Sequence, residues 1–433
     1  MSRSLMTGNR AAAWAARLAG VDYVPAFPIT PQTEIIETLS EWIRRGELDA
    51  RMTTLDSEHS MVTAAGTAAT AGVRVFTATS SQGLLYAMEM LYAVAGFRAP
   101  FLLANVSRGL AAPITLEPDH CDVLAARDSG LLQFHAASCQ EVLDLSLIGY
   151  RVIEDKRVRL PAIVNLDGFY LSFTREPVEL PEAEAVAAFL PPFDASALGL
   201  RAGQPLSQAV AVLGGTPYSY FRYECHLAAL QAERVFAEVC EDFGERFGRN
   251  YSALERYACD DAEIVFVMMG SFASKARDAV AQMRAAGERV GLLRPRLLRP
   301  FPADALAQAL DGKAAVVVVD QNLSIGKGGV LHAELCSALY GRADAPGVIT
   351  SFIGGLGGRD IRREEFFQMV SETREALQKA RAGTLEAPPA PRLLFTADEL
   401  RELRKMQAIA AVRDAEVRSS RPPPAPNAGS QGS

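Results

Sequence analysis

Apolar positions along this chain follow two alternating rhythms. One is the short unbroken run of a strand buried on both faces, and the other is the i, i+3, i+4 spacing of an amphipathic helix. Ile35, Ile36, Leu39, Trp42 and Ile43 share one helical face, and Gly46 stops that helix. A helix rich in small residues begins at Glu58 and runs to Gly72. Then Val73-Arg-Val-Phe-Thr-Ala-Thr79 reads as a buried strand, followed by a helix over residues 81–94. Pro100-Phe-Leu-Leu-Ala-Asn-Val106 and Pro161-Ala-Ile-Val-Asn-Leu166 are further buried strands. Strand, helix and strand in alternation predict an α/β fold: a doubly wound parallel sheet with helices on both faces.

The same rhythm restarts later in the chain. Ile264-Val-Phe-Val-Met-Met269 predicts a strand, 275–286 a helix, and 290–293 and 314–319 two more strands. This gives four regions. Residues 1–180 form the first α/β domain. Residues 181–258 form an irregular excursion, helical over 225–243, that packs on the first domain or on a partner. Residues 259–385 form a second, smaller α/β domain, and residues 386–433 hold a charged helix and a Pro-rich end expected to be disordered.

Candidate chemistry clusters where strands end, because ligands of such sheets bind beyond the carboxyl ends of the strands. Phe27-Pro-Ile-Thr-Pro31 reads as a strand end turning into a helix, with Thr30 as N-cap and Pro31 as first helical residue. The unpaired N–H groups of that helix end suit a carboxylate. Arg108 follows the strand that ends at Ser107, where a guanidinium can hold a carboxylate through two parallel hydrogen bonds. Glu58 is a lone acid in the first turn of its helix. A first-turn acid commonly serves only the helix dipole, a capping Thr only the cap, and an Arg at the surface only a salt bridge.

Other groups are weaker. Asp119, His120 and Asp122, with no second His nearby, read as a hydrogen-bonded loop rather than a metal site. Gly326, Gly328 and Gly329 suggest a phosphate loop, but Lys327 precedes Gly328 and not Ser or Thr. His59 diverges from Glu58 by about 100° around the helix, so the two need not meet. Gly66 suits close packing.

The net charge of −7 argues against nucleic-acid binding, and no apolar run approaches a membrane span. Six scattered cysteines, with no signal segment at the start, fit a cytoplasmic chain better than a disulfide framework.

Beyond these local readings, an ordered set of motifs carries a resemblance. The strings Phe27-Pro-Ile-Thr-Pro-Gln-Thr33, Asp56-Ser-Glu-His-Ser60 and Asn105-Val-Ser-Arg108 come first. Ala112-Pro-Ile114, Asp119-His120, Arg127-Asp-Ser-Gly130, Gln140-Glu141 and Asp167-Gly-Phe169 follow, then Arg299-Pro-Phe-Pro302 and Gly355-Leu-Gly-Gly-Arg-Asp360. Together they resemble the alpha subunit of 2-oxoacid:ferredoxin (acceptor) oxidoreductases. The resemblance implies a thiamine-diphosphate pyrimidine-binding-type domain followed by a transketolase C-terminal-like domain. It implies that Glu58 bonds the cofactor's pyrimidine ring and is catalytic, and that Thr30 and Arg108 contact the substrate carboxylate. The implied reaction decarboxylates a 2-oxoacid oxidatively to its acyl-coenzyme A ester.

Parts of that machinery are missing from this chain. It has no Gly-Asp-Gly to anchor magnesium and diphosphate, and no Cys-x-x-Cys for a cluster. The resemblance therefore implies partners. A beta subunit would bring the diphosphate site and Mg2+, and gamma-type and ferredoxin-like subunits would bring [4Fe-4S] clusters, with room for a further electron-acceptor subunit. A transketolase-like or non-oxidative decarboxylase, or a non-catalytic scaffold paralogue, are the competing readings. Glu117 and Leu131 stand where the family commonly has aromatic rings. That departure predicts an enlarged pocket that favours a bulky aryl 2-oxoacid such as phenylglyoxylate over pyruvate, the alternative being that these positions line a subunit contact; the substrate is pyruvate or such a bulkier 2-oxoacid.

Overall fold

The computed structural model describes residues 2–193, 203, 207 and 210–419. Its contacts divide into two units, Met1–Arg392 and Leu393–Ser433. The described part of the second, residues 393–419, holds the helix Ala397–Ser419, and the Pro-rich stretch 422–426 lies outside the described residues.

Two sheets organise the first unit. In one, four parallel strands lie in the order Leu132–His135, Ala162–Asp167, Leu102–Ser107 and Phe76–Thr79. Beside Phe76–Thr79 stands a second parallel pair, Tyr23–Ala26 with Arg51–Thr54, joined by a bridge from Tyr23 to Val75. Helices cover both faces, as the alternation requires. Helix Cys139–Ile153 is buried over nearly its whole length, against the sheet, against Gly8–Leu18 and against Gly215–Phe247. On the opposite face, helices Glu58–Thr70 and Met88–Gly96 pack so closely that a Cβ on Gly66 would come within 2.3 Å of Val94 Cγ1. Gly66 is a packing residue.

The second sheet runs Val348–Ile353, Ala315–Asp320, Ile264–Met268 and Val290–Pro295 in parallel, with Leu254–Tyr257 antiparallel beside Val290–Pro295. The chain then does something that local pattern does not reveal. Strand Leu297–Arg299 returns to pair antiparallel with Leu132–His135 at the edge of the first sheet.

Two local expectations are corrected. Helix Thr33–Arg44 starts after Gln32, not at Pro31, so Thr30 is not its N-cap. The Thr30–Pro31 bond is cis and lies in a turn closed by the Gln32 N–H donating to Ile29 O. The turn is held by Asn9 Nδ2 on Pro31 O at 2.9 Å and by Gln32 Nε2 on Phe27 O. In the excursion, the helix is the 33-residue Gly215–Phe247 and begins well before residue 225. Its opening turns carry Tyr218, Tyr220, Phe221 and Tyr223 exposed on several sides, which erases the one-sided period that marks an amphipathic helix. Its later turns bury Val235, Phe236, Val239 and Phe243 in the core of the first sheet.

Candidate active site

Glu58 is the first residue of its helix. Ser57 caps it in extended conformation, its Oγ accepting from the Ser60 N–H. The carboxyl is buried, at 5% exposure. Burial raises its pKa above the ordinary glutamate value, and the N–H of its own residue opposes that only in part. His59 turns away to Glu89 at 3.3 Å.

What faces Glu58 is the elbow after strand Phe76–Thr79, where Thr79-Ser-Ser-Gln-Gly83 turns into helix Gln82–Tyr86. Gly83 has no side chain there for a steric reason. A Cβ would stand 2.4 Å from Glu58 Oε1 and 2.6 Å from Thr79 Oγ1. The carboxylate and the hydroxyl thus look into one gap, and the buried Thr79 hydroxyl has no hydrogen-bond partner among the described residues. A buried carboxyl beside an unpaired hydroxyl, in a cradle kept open by glycine, fits the nitrogen-rich edge of an aminopyrimidine. Gly83→Ala should fold and assemble, yet lower kcat about 10²-fold by pushing the carboxyl aside; steady-state kinetics on the complete enzyme check this.

One residue earlier, Gln82 joins this gap to Arg108. Arg108 Nη2 donates to Gln82 Oε1 at 2.5 Å, and Nη1 donates to the Thr30 carbonyl at 2.7 Å. The structure therefore brings Thr30, Arg108 and Glu58 together around Gln82-Gly83. Arg108 is buried, and burial lowers its pKa, with Asp122 opposing the shift.

Asp122 braces the elbow from beneath. It accepts from Asn105 Nδ2, Ser107 Oγ and the N–H groups of Ser81, Arg108 and Val123. It thus ties the ends of two neighbouring strands. Burial raises its pKa, opposed by the Ser107 and Asn105 hydrogen bonds. His120 Nε2 lies 2.7 Å from Asp167 Oδ1, and Ser271 donates to Asp167 from both N and Oγ. Burial disfavours the charged imidazole, but Asp167 outweighs it and raises the His120 pKa. These are seams between the two sheets. Among the described residues, no group of three His, Cys, Asp or Glu side chains could hold a metal ion. The glycines at 326–329 form no phosphate site, because Asp320 already accepts from the Leu331 and His332 N–H groups at that helix start.

The two positions behind the expected enlarged pocket do not flank Arg108 among the described contacts. Leu131 is packed in the core with Leu124 and Ala126, and Glu117 is exposed beside Gly358. Gln82, Gly83, Thr79 and Asp122 were missed as site residues, although the rule that ligands lie beyond strand ends points to Thr79-Ser-Ser-Gln-Gly83.

The doubly wound sheet thus carries a buried acid at one strand-end elbow and a buried Arg at the next, the architecture of an α/β enzyme subunit. Residues 14–241 match the family model described as pyruvate flavodoxin/ferredoxin oxidoreductase, thiamine diphosphate-binding, and residues 262–366 match the pyruvate:ferredoxin oxidoreductase core domain II. The chain belongs to the pyruvate:ferredoxin oxidoreductase family, whose members are 2-oxoacid:ferredoxin oxidoreductases acting as complexes. It is 42% identical over 373 residues to the pyruvate synthase subunit PorA of Methanothermobacter thermautotrophicus, covering 86% of this chain and 96% of that one. It is 38% identical over 382 residues to the ketoisovalerate oxidoreductase subunit VorA of Pyrococcus abyssi, covering 88% and 95%. Among solved structures, the 2-oxoglutarate:ferredoxin oxidoreductase of Magnetococcus marinus, with 2-oxoglutarate, coenzyme A and succinyl-CoA bound, shares the fold. The TM-score is 0.65 at 19% identity, over 86% of this chain and 65% of that one. No described helix is long and apolar enough to cross a membrane.

Proposed function

We propose that this chain is the pyrimidine-side subunit of a thiamine-diphosphate-dependent 2-oxoacid oxidoreductase. It would convert a 2-oxoacid, pyruvate foremost, and coenzyme A to an acyl-CoA and carbon dioxide, with two electrons leaving through iron–sulfur clusters on partner subunits. The observation that carries this is the joining of Glu58 and Arg108 through Gln82-Gly83. The bound cofactor would supply the carbon nucleophile and the sink for the electrons released with carbon dioxide. Glu58 would hold a proton shared with the far ring nitrogen of the pyrimidine, and its raised pKa suits that sharing. Arg108, oriented by the Thr30 carbonyl and the Gln82 amide, would fix the substrate carboxylate, with the exposed Thr30 side chain at the mouth of the site.

The diphosphate half, Mg2+ and the clusters would come from the beta, gamma-type and ferredoxin-like partners, because this chain has no Gly-Asp-Gly and no paired cysteines. Calorimetry then has a definite expectation: the isolated chain binds thiamine diphosphate weakly, and tight binding appears only in the complex. Micromolar binding by the single chain would contradict a site split between subunits.

For substrate choice, relatives named for pyruvate and for ketoisovalerate favour small aliphatic 2-oxoacids. The specificity constant of the complex should be higher for pyruvate than for 2-oxoisovalerate, and higher for either than for phenylglyoxylate. One added apolar group is worth roughly 10–200-fold. An order that puts phenylglyoxylate first would overturn the assignment.

A further inference from the structure

Arg108 and Gln82 carry an imbalance that folding does not explain. Both terminal nitrogens of Arg108 are engaged, Nη1 by the Thr30 carbonyl and Nη2 by Gln82 Oε1. Its Nε is buried and has no hydrogen-bond partner among the described residues. The Gln82 amide oxygen also accepts from Ser81 Oγ at 2.6 Å, while its Nε2 is buried and likewise without a partner among the described residues. Because a guanidinium only donates, Arg108 fixes which end of the amide is oxygen and leaves the nitrogen as the free end.

Two unpaired N–H donors therefore lie on side chains that are bonded to each other. Burying such groups without acceptors is unfavourable, so the arrangement suits an acceptor that arrives later. Among the described residues, no carboxylate fills the role. Arg108 makes no ion pair among the described residues, and the nearby Asp122 carboxylate is already occupied by five donors.

We propose that Gln82 is a substrate-recognition residue whose Nε2 donates to one oxygen of the 2-oxoacid carboxylate while Arg108 holds the other. This rests on the reading of Arg108 as the carboxylate anchor. Gln82 would then do two jobs with one amide: its oxygen aims the guanidinium, and its nitrogen reads the anion. A site built in this way rejects 2-oxo compounds that lack the acid group, because two buried donors would stay unpaired.

Two variants separate the jobs. Gln82→Met removes both amide functions at similar volume. Gln82→Glu keeps an oxygen for Arg108 but replaces the donor with a negative charge. Binding of oxamate, an unreactive pyruvate analogue, is measured by calorimetry on the assembled enzyme, beside the KM for pyruvate and the affinity for thiamine diphosphate.

Gln82→Met should weaken oxamate binding and raise the pyruvate KM roughly 10–100-fold. Gln82→Glu should do so at least as strongly, with thiamine diphosphate affinity unchanged in both. Normal oxamate binding in Gln82→Glu alone would reduce Gln82 to a positioning residue and overturn the proposal. Normal binding in both variants would overturn it too. If Arg108→Met also bound oxamate normally, the carboxylate-anchor reading would fall together with the proposal. Loss of thiamine diphosphate affinity along with oxamate affinity would mean that the elbow had collapsed, and would likewise count against a specific donor.

Discussion

Glu58→Gln in the assembled enzyme should lower kcat by roughly 10²–10⁴-fold, the usual worth of a positioned proton-transfer group. The amide keeps the length and volume of the side chain, so the helix start at Ser57 and the contact with Gly83 survive. What it loses is an acidic proton to share. Burial without a neighbouring cation raises the Glu58 pKa. The limb on which kcat falls as pH rises and Glu58 loses its proton should therefore lie above the ordinary glutamate range and vanish in the variant. Thiamine diphosphate affinity should change little, since most of that grip is expected on the partner. Near-normal turnover in Glu58→Gln would remove Glu58 from the chemistry.

The second large effect is expected at Arg108, and it should appear in KM. Arg108→Met keeps a long apolar stem but deletes the charge proposed to face the substrate carboxylate. A hydrogen bond to a charged group contributes about 1.5–3 kcal/mol. Two of them lost together, with Gln82 left without its partner, predict a rise in pyruvate KM of about 10²-fold or more. The KM for coenzyme A serves as the control and should hold. Arg108→Lys should recover little, because an ammonium cannot span both the Thr30 carbonyl and the Gln82 oxygen while also meeting a carboxylate. Equal kcat/KM in wild type and Arg108→Met would refute the anchor.

Much of this architecture could be read before any coordinates. Strands buried on both faces are continuous apolar runs, so Phe76–Thr79, Leu102–Ser107 and Ala162–Asp167 announce themselves within two or three residues of their bounds. Arg108 was legible for the same reason, because a strand end is a definite place. The failures have physical causes too. Thr-Pro looks like a helix start in sequence, but Asn9, far away along the chain, holds the Pro31 carbonyl in a different turn.

Gln82 and Gly83 escaped notice because a Gln in a first helical turn is common. Their meaning lies in Arg108 and Glu58, 26 and 25 residues away respectively. Asp122 was seen only as a poor metal ligand, while its five donors come from three separate stretches of chain. Leu131 misled in the opposite direction. It stands where the family commonly has a ring, but it fills core space and opens no cavity.

The strand Leu297–Arg299 has a consequence for how this chain can be taken apart. Residues 259 onward look like a module that could be cut away or exchanged, since they carry every strand of the second sheet except Leu254–Tyr257. They also deliver the strand that covers the Leu132–His135 edge of the other sheet. A fragment ending before residue 259 would bare that backbone edge, with Phe134 and Leu132 beside it, as a template for pairing with other chains. A split of this chain at the obvious boundary is therefore expected to leave an aggregation-prone first fragment, because the strand pairing makes one piece of the two sheets.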